Sequence, residues 1–149
     1  MAKIEMVIDS VRVALIDYQR AVILKEKAGE RHLPMWVDVA QADAIATGLQ
    51  EARSSKPLTH DFICSIISNL GAALKYVVVD ELVQETFHAK AFLEREGEVI
   101  EIDCRPSDAI ATALRAEVPI FVTEEILIKA GVKVDELGKL DEGKEEADY

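Results

Sequence analysis

The sequence predicts an α+β domain in which two copies of one unit, each a strand, a β-hairpin and helices, form a mixed, mainly antiparallel sheet packed with helices. Three observations lead there. The pentapeptide Asp-Ala-Ile-Ala-Thr occurs at Asp43–Thr47 and again at Asp108–Thr112, each time with a leucine two residues later (Leu49, Leu114) and an aspartate five residues earlier (Asp38, Asp103). Before each copy, two apolar runs flank a glycine set among charged residues, which is hairpin turn chemistry. After each copy a proline restarts the chain, at Pro57 and Pro119. Hairpins require antiparallel pairing, so a doubly wound parallel sheet fits less well.

The elements follow in order. Ile4 to Leu15 alternates like a strand, and Tyr76 to Val83 repeats it. Ala21–Leu24, a turn at Gly29 and a strand through Trp36-Val37-Asp38 form the first hairpin. Ala89 to Arg95, a turn at Gly97 and Val99 to Asp103 form the second. Helices are expected over about residues 40–52 and 106–116, with Ile45, Leu49 and Ala52, or Ile110 and Leu114, on one face. Pro106 suits a first helical turn, where its missing N–H costs nothing. Small residues (Ala44, Ala46, Gly48; Ala109, Ala111, Ala113) would let these two helices approach closely. A third helix runs from Thr59, a candidate N-cap, to Gly71. Pro119–Val122 is a short strand, and Thr123 then caps a helix ending at Gly131. One domain is expected over 1–135, with repeats at about 3–75 and 76–134, followed by an acidic, disordered tail at 136–149.

Composition bounds the function. The 149 residues suffice for one core, burying roughly 70% of the surface of the unfolded chain. Net charge is −11, of which the last fifteen residues carry −5 from seven acids and two lysines. Tight, non-specific coating of nucleic acid needs cationic contacts to phosphate, and this chain is acidic even without its tail. Eight aromatics leave little for a base-stacking platform. No apolar run is long enough to span a membrane, and no secretory leader is evident. Cys64 and Cys104 lack metal-like spacing and read as two reduced thiols in a cytoplasmic protein.

Candidate chemistry sits where the copies diverge. Between its aspartates the first unit has the quiet Val39-Ala40-Gln41-Ala42; the second has Cys104-Arg105-Pro106-Ser107. Asp103, Arg105, Ser107 and Asp108 thus concentrate two carboxylates, a guanidinium and a hydroxyl at a helix start. Such a site can hold a phosphate through backbone N–H groups and Arg105, or a divalent cation through Asp103 and Asp108. The plainer alternative is an Arg105 bridge to its neighbouring aspartates. Asp43 and Asp108, read in the first turns of equivalent helices, can equally serve the helix dipole, worth ~0.3–1 kcal/mol; Asp38 and Asp103 can cap helix entries. His60-Asp61 opens the third helix, where a histidine serves as general base, metal ligand or cap. His88 reads as packing, His32 has no evident partner, and Met35 and Trp36 read as core. There is no Gly-rich phosphate loop, zinc spacing or nucleophile elbow.

Together, Leu33-Pro34-Met35-Trp36-Val37, Pro57-Leu58-Thr59-His60-Asp61, Thr86-Phe87-His88-Ala89 and Ile102 through Ala111, continuing to Pro119–Val122, resemble the bifunctional nuclease domain family over about residues 3–135. His88 departs from that pattern, which has tyrosine there. The resemblance implies an α+β fold, a homo-oligomer (expected as a dimer), and hydrolysis of DNA and RNA phosphodiesters with low sequence specificity. Nucleic acid would then be a weakly held substrate. On this reading Arg105 holds the phosphate, Asp103 and Asp108 position water with or without Mg or Mn, and His60 and Asp61 supply acid–base help if folding brings them near. The alternatives are a non-catalytic module binding a small anion or a protein partner, and a purely structural oligomerisation domain.

Overall fold

The computed structural model describes residues 2–14, 17–50, 55–137 and 146–148. Its elements are β1 (Lys3–Ala14), β2 (Arg20–Glu26), β3 (His32–Val37), α1 (Val39–Leu49), α2 (Thr59–Asn69), β4 (Ala73–Val83), β5 (Thr86–Arg95), β6 (Glu98–Cys104), α3 (Pro106–Ala116), β7 (Ile120–Thr123), α4 (Glu124–Ala130), α5 (Val134–Leu137) and β8 (Glu146–Asp148). The sheet order is β3-β2-β1-β7-β4-β5-β6, with β8 pairing β1 off this path. Among the described residues only the β4–β7 pairing is parallel. The fold is therefore α+β with a mixed, mainly antiparallel sheet. Strand, hairpin and helix follow one another in both halves, and β1 and β4 flank the inserted β7. Of the acidic tail, residues 138–145 lie outside the described residues, while Glu146–Asp148 pairs with Arg12–Ala14.

Side-chain alternation, corrected by bulges, fixes which face is buried. On β4 the core residues Leu74, Val77, Val79 and Leu82 break strict period-two spacing twice. Register shifts between Leu74/Tyr76 and Val79/Glu81 absorb both breaks, returning the apolar set to one face. A shift between Ile8 and Ser10 does the same for Met6 and Val11 on β1. Over this face lie α1 and α3, packed on each other and against the sheet. Their alanines and Ile45 and Ile110 join Val22, Leu24, Val77 and Val79 in one core. On the opposite face Ala21 and Ile23 are covered by Leu137 and Val132.

Both glycine-marked turns form as expected. Glu96 and Gly97, with φ of 51° and 80°, are the two-residue loop between paired Arg95 and Glu98. The β4–β5 hairpin turns on Gln84 and Glu85, also at positive φ (50° and 64°) and without glycine. At the β2–β3 turn Arg31 binds the Glu26 and Glu124 carboxylates at 2.7 and 2.8 Å, tying the hairpin to the start of α4.

Several expectations need correction. Trp36 is 51% exposed: alternation directs Met35 into the core, so Trp36 lies on the other face, opposite Ala21. Leu49 is exposed at the end of α1, and Ala52 lies outside the described residues. The N-cap of α2 is Leu58, with Thr59 already helical; the Asp61 carboxylate accepts from the Leu58 N–H at 2.9 Å. Asp43 and Asp108 do not occupy equivalent turns. Asp38 caps α1 through a reciprocal bond with Gln41, so α1 begins at Val39 and Asp43 falls beyond its first turn. Pro106 opens α3, which leaves Asp108 inside the first turn. Among the described residues no helix is long and apolar enough to cross a membrane.

Candidate active site at three converging helix starts

A groove of about 380 Å³ collects the N-terminal ends of three helices: Asp38, Ala40 and Gln41 of α1, Leu58, Thr59 and His60 of α2, and Arg105, Ser107 and Asp108 of α3. Each helix start carries partial positive charge, so their convergence favours an anion. Two of the starts are already served by carboxylates, Asp38 on α1 and Asp61 on α2. The third is different. Arg105 occupies its N-cap position without a side-chain cap bond, and the Ser107 hydroxyl, on a residue only 4% exposed, is buried with no hydrogen-bond partner.

Folding brings His60 to Asp108, with Nε2 3.1 Å from Oδ1. Arg105 holds the same carboxylate in a fork, Nε to Oδ2 at 2.7 Å and Nη2 to Oδ1 at 3.1 Å. Burial pushes the Asp108 carboxyl up, yet the bonds from Arg105 and His60 outweigh it and hold it below its ordinary value. It is thus ionised at neutral pH. The Arg105 side chain is 61% exposed, so its remaining Nη1 can meet a ligand in the groove. With the proton on Nε2 facing Asp108, His60 keeps Nδ1 as an acceptor.

Asp61 does not line the groove; it accepts from Arg115 Nε at 3.1 Å. Asp103 is exposed on β6, in register with Lys90, and is likewise absent from the groove wall. The donor set for a divalent cation does not fit as arranged. Both Asp108 oxygens are engaged, Asp103 stands apart, and no three His, Cys, Asp or Glu side chains among the described residues cluster as a metal would need. Cys104, beside the site, is pushed up to about 11 by burial and by Asp108, Asp103 and Asp80 in turn, and Cys64 is raised first by burial. Both thiols are free and stay protonated at neutral pH. His88 is exposed, and His32 is buried with Nδ1 3.0 Å from the Glu30 carbonyl.

Arg115 is the residue that the sequence reading missed. Its side chain, 9% exposed, binds Asp61 on α2, the Ala111 carbonyl on α3 (2.9 Å) and the Ala44 carbonyl on α1 (3.1 Å). Gly48 makes room for it: a Cβ there would stand 3.1 Å from Arg115 Nη1. A signal existed, since aligning the two pentapeptides sets Arg115 against Gln50, one more position where the copies diverge.

An arginine, a carboxylate and a histidine thus meet at the start of α3 on an α+β scaffold. The bifunctional nuclease domain model matches residues 22–135, and the chain belongs to that family. It is 39% identical over 137 residues to an uncharacterized protein of Mycobacterium tuberculosis, covering 92% of this chain and 79% of that one. It is also 30% identical over 118 residues to bifunctional nuclease 1 of Oryza sativa subsp. japonica, and 28% identical over 124 residues to bifunctional nuclease 1 of Arabidopsis thaliana. Those alignments cover 76% and 80% of this chain, and 36% and 38% of the plant proteins.

Proposed function

We propose that the groove hydrolyses phosphodiester bonds of DNA and RNA with low sequence specificity. The single observation that carries this is the His60–Asp108–Arg105 chain at the uncapped start of α3. The plant relatives named as nucleases support it. In this reading Arg105 Nη1 and the first N–H groups of α3 bind the phosphate. Asp108 orients the imidazole, and His60 Nδ1 takes a proton from the water whose oxygen attacks phosphorus. The bond to the leaving oxygen breaks, and that oxygen takes up a proton. Asp61 positions His60 through α2 and Arg115. Asp103, outside the groove wall, takes no part in this reaction, and assays with magnesium, manganese or chelator test for a metal requirement. An acidic protein holds its substrate weakly, which suits turnover over storage.

A non-catalytic module that binds a small anion is the second reading, favoured by the modest size of the groove. The shared order of elements supports descent of the two halves from one unit. The family resemblance implies a homodimer, which light scattering on the purified chain would test. Free thiols fit a reducing cytoplasm. To test the leading reading, wild type and an Arg105→Ala/Asp108→Ala variant, purified in parallel, are incubated with single- and double-stranded DNA and with RNA, with Mg, Mn or chelator. Cleavage by wild type alone supports it. Equal cleavage by both overturns it, and tight phosphate binding without cleavage favours the second reading.

A further inference from the structure

The groove at the helix starts is restricted in charge as well as in volume. Three carboxylates line it, Asp38, Asp43 and Asp108, against two guanidiniums, Arg105 and Arg115. Arg115 is engaged inside the protein: its side chain is 9% exposed and binds Asp61 and the carbonyls of Ala111 and Ala44. Among the lining residues Arg105 is therefore the cation that a ligand can meet, and Asp108 already takes its Nε and Nη2. The bond to Asp108 first, and the charge of Asp38 after it, raise the Arg105 guanidinium above its ordinary value, so Asp38 faces it from α1. Asp38, at the cap of α1, and Asp43, within that helix, are exposed wall residues. The reacting pair lies deeper, with His60 only 8% exposed.

Each phosphate that a strand brings must be matched by a cation or be repelled. Proteins that track long nucleic acids neutralise many phosphates, and their affinity falls steeply with salt for that reason. This groove offers Arg105 Nη1 and the first N–H groups of α3, which suffice for one phosphate. A longer strand seated there carries its neighbouring phosphates along the wall that holds Asp38 and Asp43. The volume, about 380 Å³, lies near the lower end of the roughly 300–1,000 Å³ range of small-molecule sites.

We propose that the groove selects dinucleotide-sized fragments of DNA and RNA over long strands. Their single phosphodiester sits at Arg105, and Asp38 and Asp43 turn away the flanking phosphates of a polyanion. The proposal rests on the hydrolytic reading of this groove.

The probes are thymidylyl-thymidine and a long oligothymidylate, each assayed with magnesium, manganese or chelator. Hydrolysis of the first adds one water across a P–O bond and gives thymidine and thymidine monophosphate. The expected kcat/KM per phosphodiester bond is at least about tenfold higher for the dinucleotide, from repulsion at two wall carboxylates. With the long strand, the slope of log kcat/KM against log salt should be no steeper than about −1, the value for a single phosphate contact. Asp43→Lys should narrow the gap between the substrates about threefold or more, by raising the rate on the long strand. That gap is a ratio taken on one sample, so partial misfolding cancels. A long strand cleaved as well per bond as the dinucleotide overturns the proposal. So does a steep salt slope, or a ratio untouched by Asp43→Lys; the hydrolytic reading survives each of these. No cleavage of either substrate overturns that reading and the proposal with it.

Discussion

His60 Nε2 and Asp108 Oδ1, 48 positions apart in sequence, meet at 3.1 Å across the starts of α2 and α3. Asp108 also holds Arg105, so one carboxylate couples the candidate base to the candidate phosphate ligand. Removing that carboxylate should disturb both partners at once. Asp108→Asn is expected to lower cleavage by about 100-fold or more, in the range for loss of assisted proton transfer. Initial rates on a fluorescent oligonucleotide check it; a loss under threefold would contradict the coupling.

The same carboxylate sets an acid limit on stability. Its folded value lies below the ordinary 3.8, so its contribution is complete above that pH and disappears as pH falls through the folded value. Wild type should therefore lose more stability than Asp108→Asn between pH 5 and pH 2. Urea midpoints across this window provide the comparison, and parallel curves would remove Asp108 from the acid response.

Arg115 should matter for stability more than an exposed arginine would. Arg115→Met removes a buried guanidinium from contacts with three helices and is expected to cost about 1–3 kcal/mol in urea unfolding. Gly48→Ala should also destabilise, although alanine is the better helix former by roughly 1 kcal/mol. Arg115 is pinned by its bonds and cannot easily yield to a Cβ 3.1 Å away.

The Gln84–Glu85 turn invites the opposite change. Both residues sit at positive φ, which glycine adopts without penalty. Glu85→Gly is expected to raise stability by about 0.5–1 kcal/mol, less whatever the freer unfolded chain takes back. A lower melting temperature would contradict the turn geometry.

Cys104 gives a chemical check. With its thiol pushed up to about 11 from the ordinary 9.0, roughly a hundredfold less thiolate is present at pH 8 than in an unperturbed cysteine. Iodoacetamide should alkylate Cys104 of the folded protein correspondingly slowly, read separately from Cys64 by peptide mass spectrometry, and should reach the normal rate in urea.

Much of this architecture was legible because its signals are local. The repeated pentapeptide located two helices, Gly97 located a turn, and Pro106 located the first residue of α3. Divergence between the copies pointed to Arg105 and Asp108, and Thr59-His60-Asp61 was placed at a helix start. Long-range facts were harder to read. Nothing local says that His60 reaches Asp108 rather than solvent, or that Arg115 threads past Gly48. The Gln84–Glu85 turn carries no glycine, asparagine or proline, so its positive φ is imposed by strand pairing. Trp36 went astray because its size suggests a core while strand alternation sets it on the other face. Asp43 lies two positions deeper in α1 than Asp108 does in α3, because the Asp38–Gln41 cap starts α1 early.

The most direct measurement is the rate of phosphodiester cleavage by His60→Gln, Arg105→Met and Asp108→Asn, singly and combined, with folding verified by circular dichroism. Each single change is expected to remove most of the activity, and the triple variant to be scarcely worse than the worst single one, because the three residues act as a unit. Wild-type rates in all three would show that any hydrolysis by this protein takes place elsewhere.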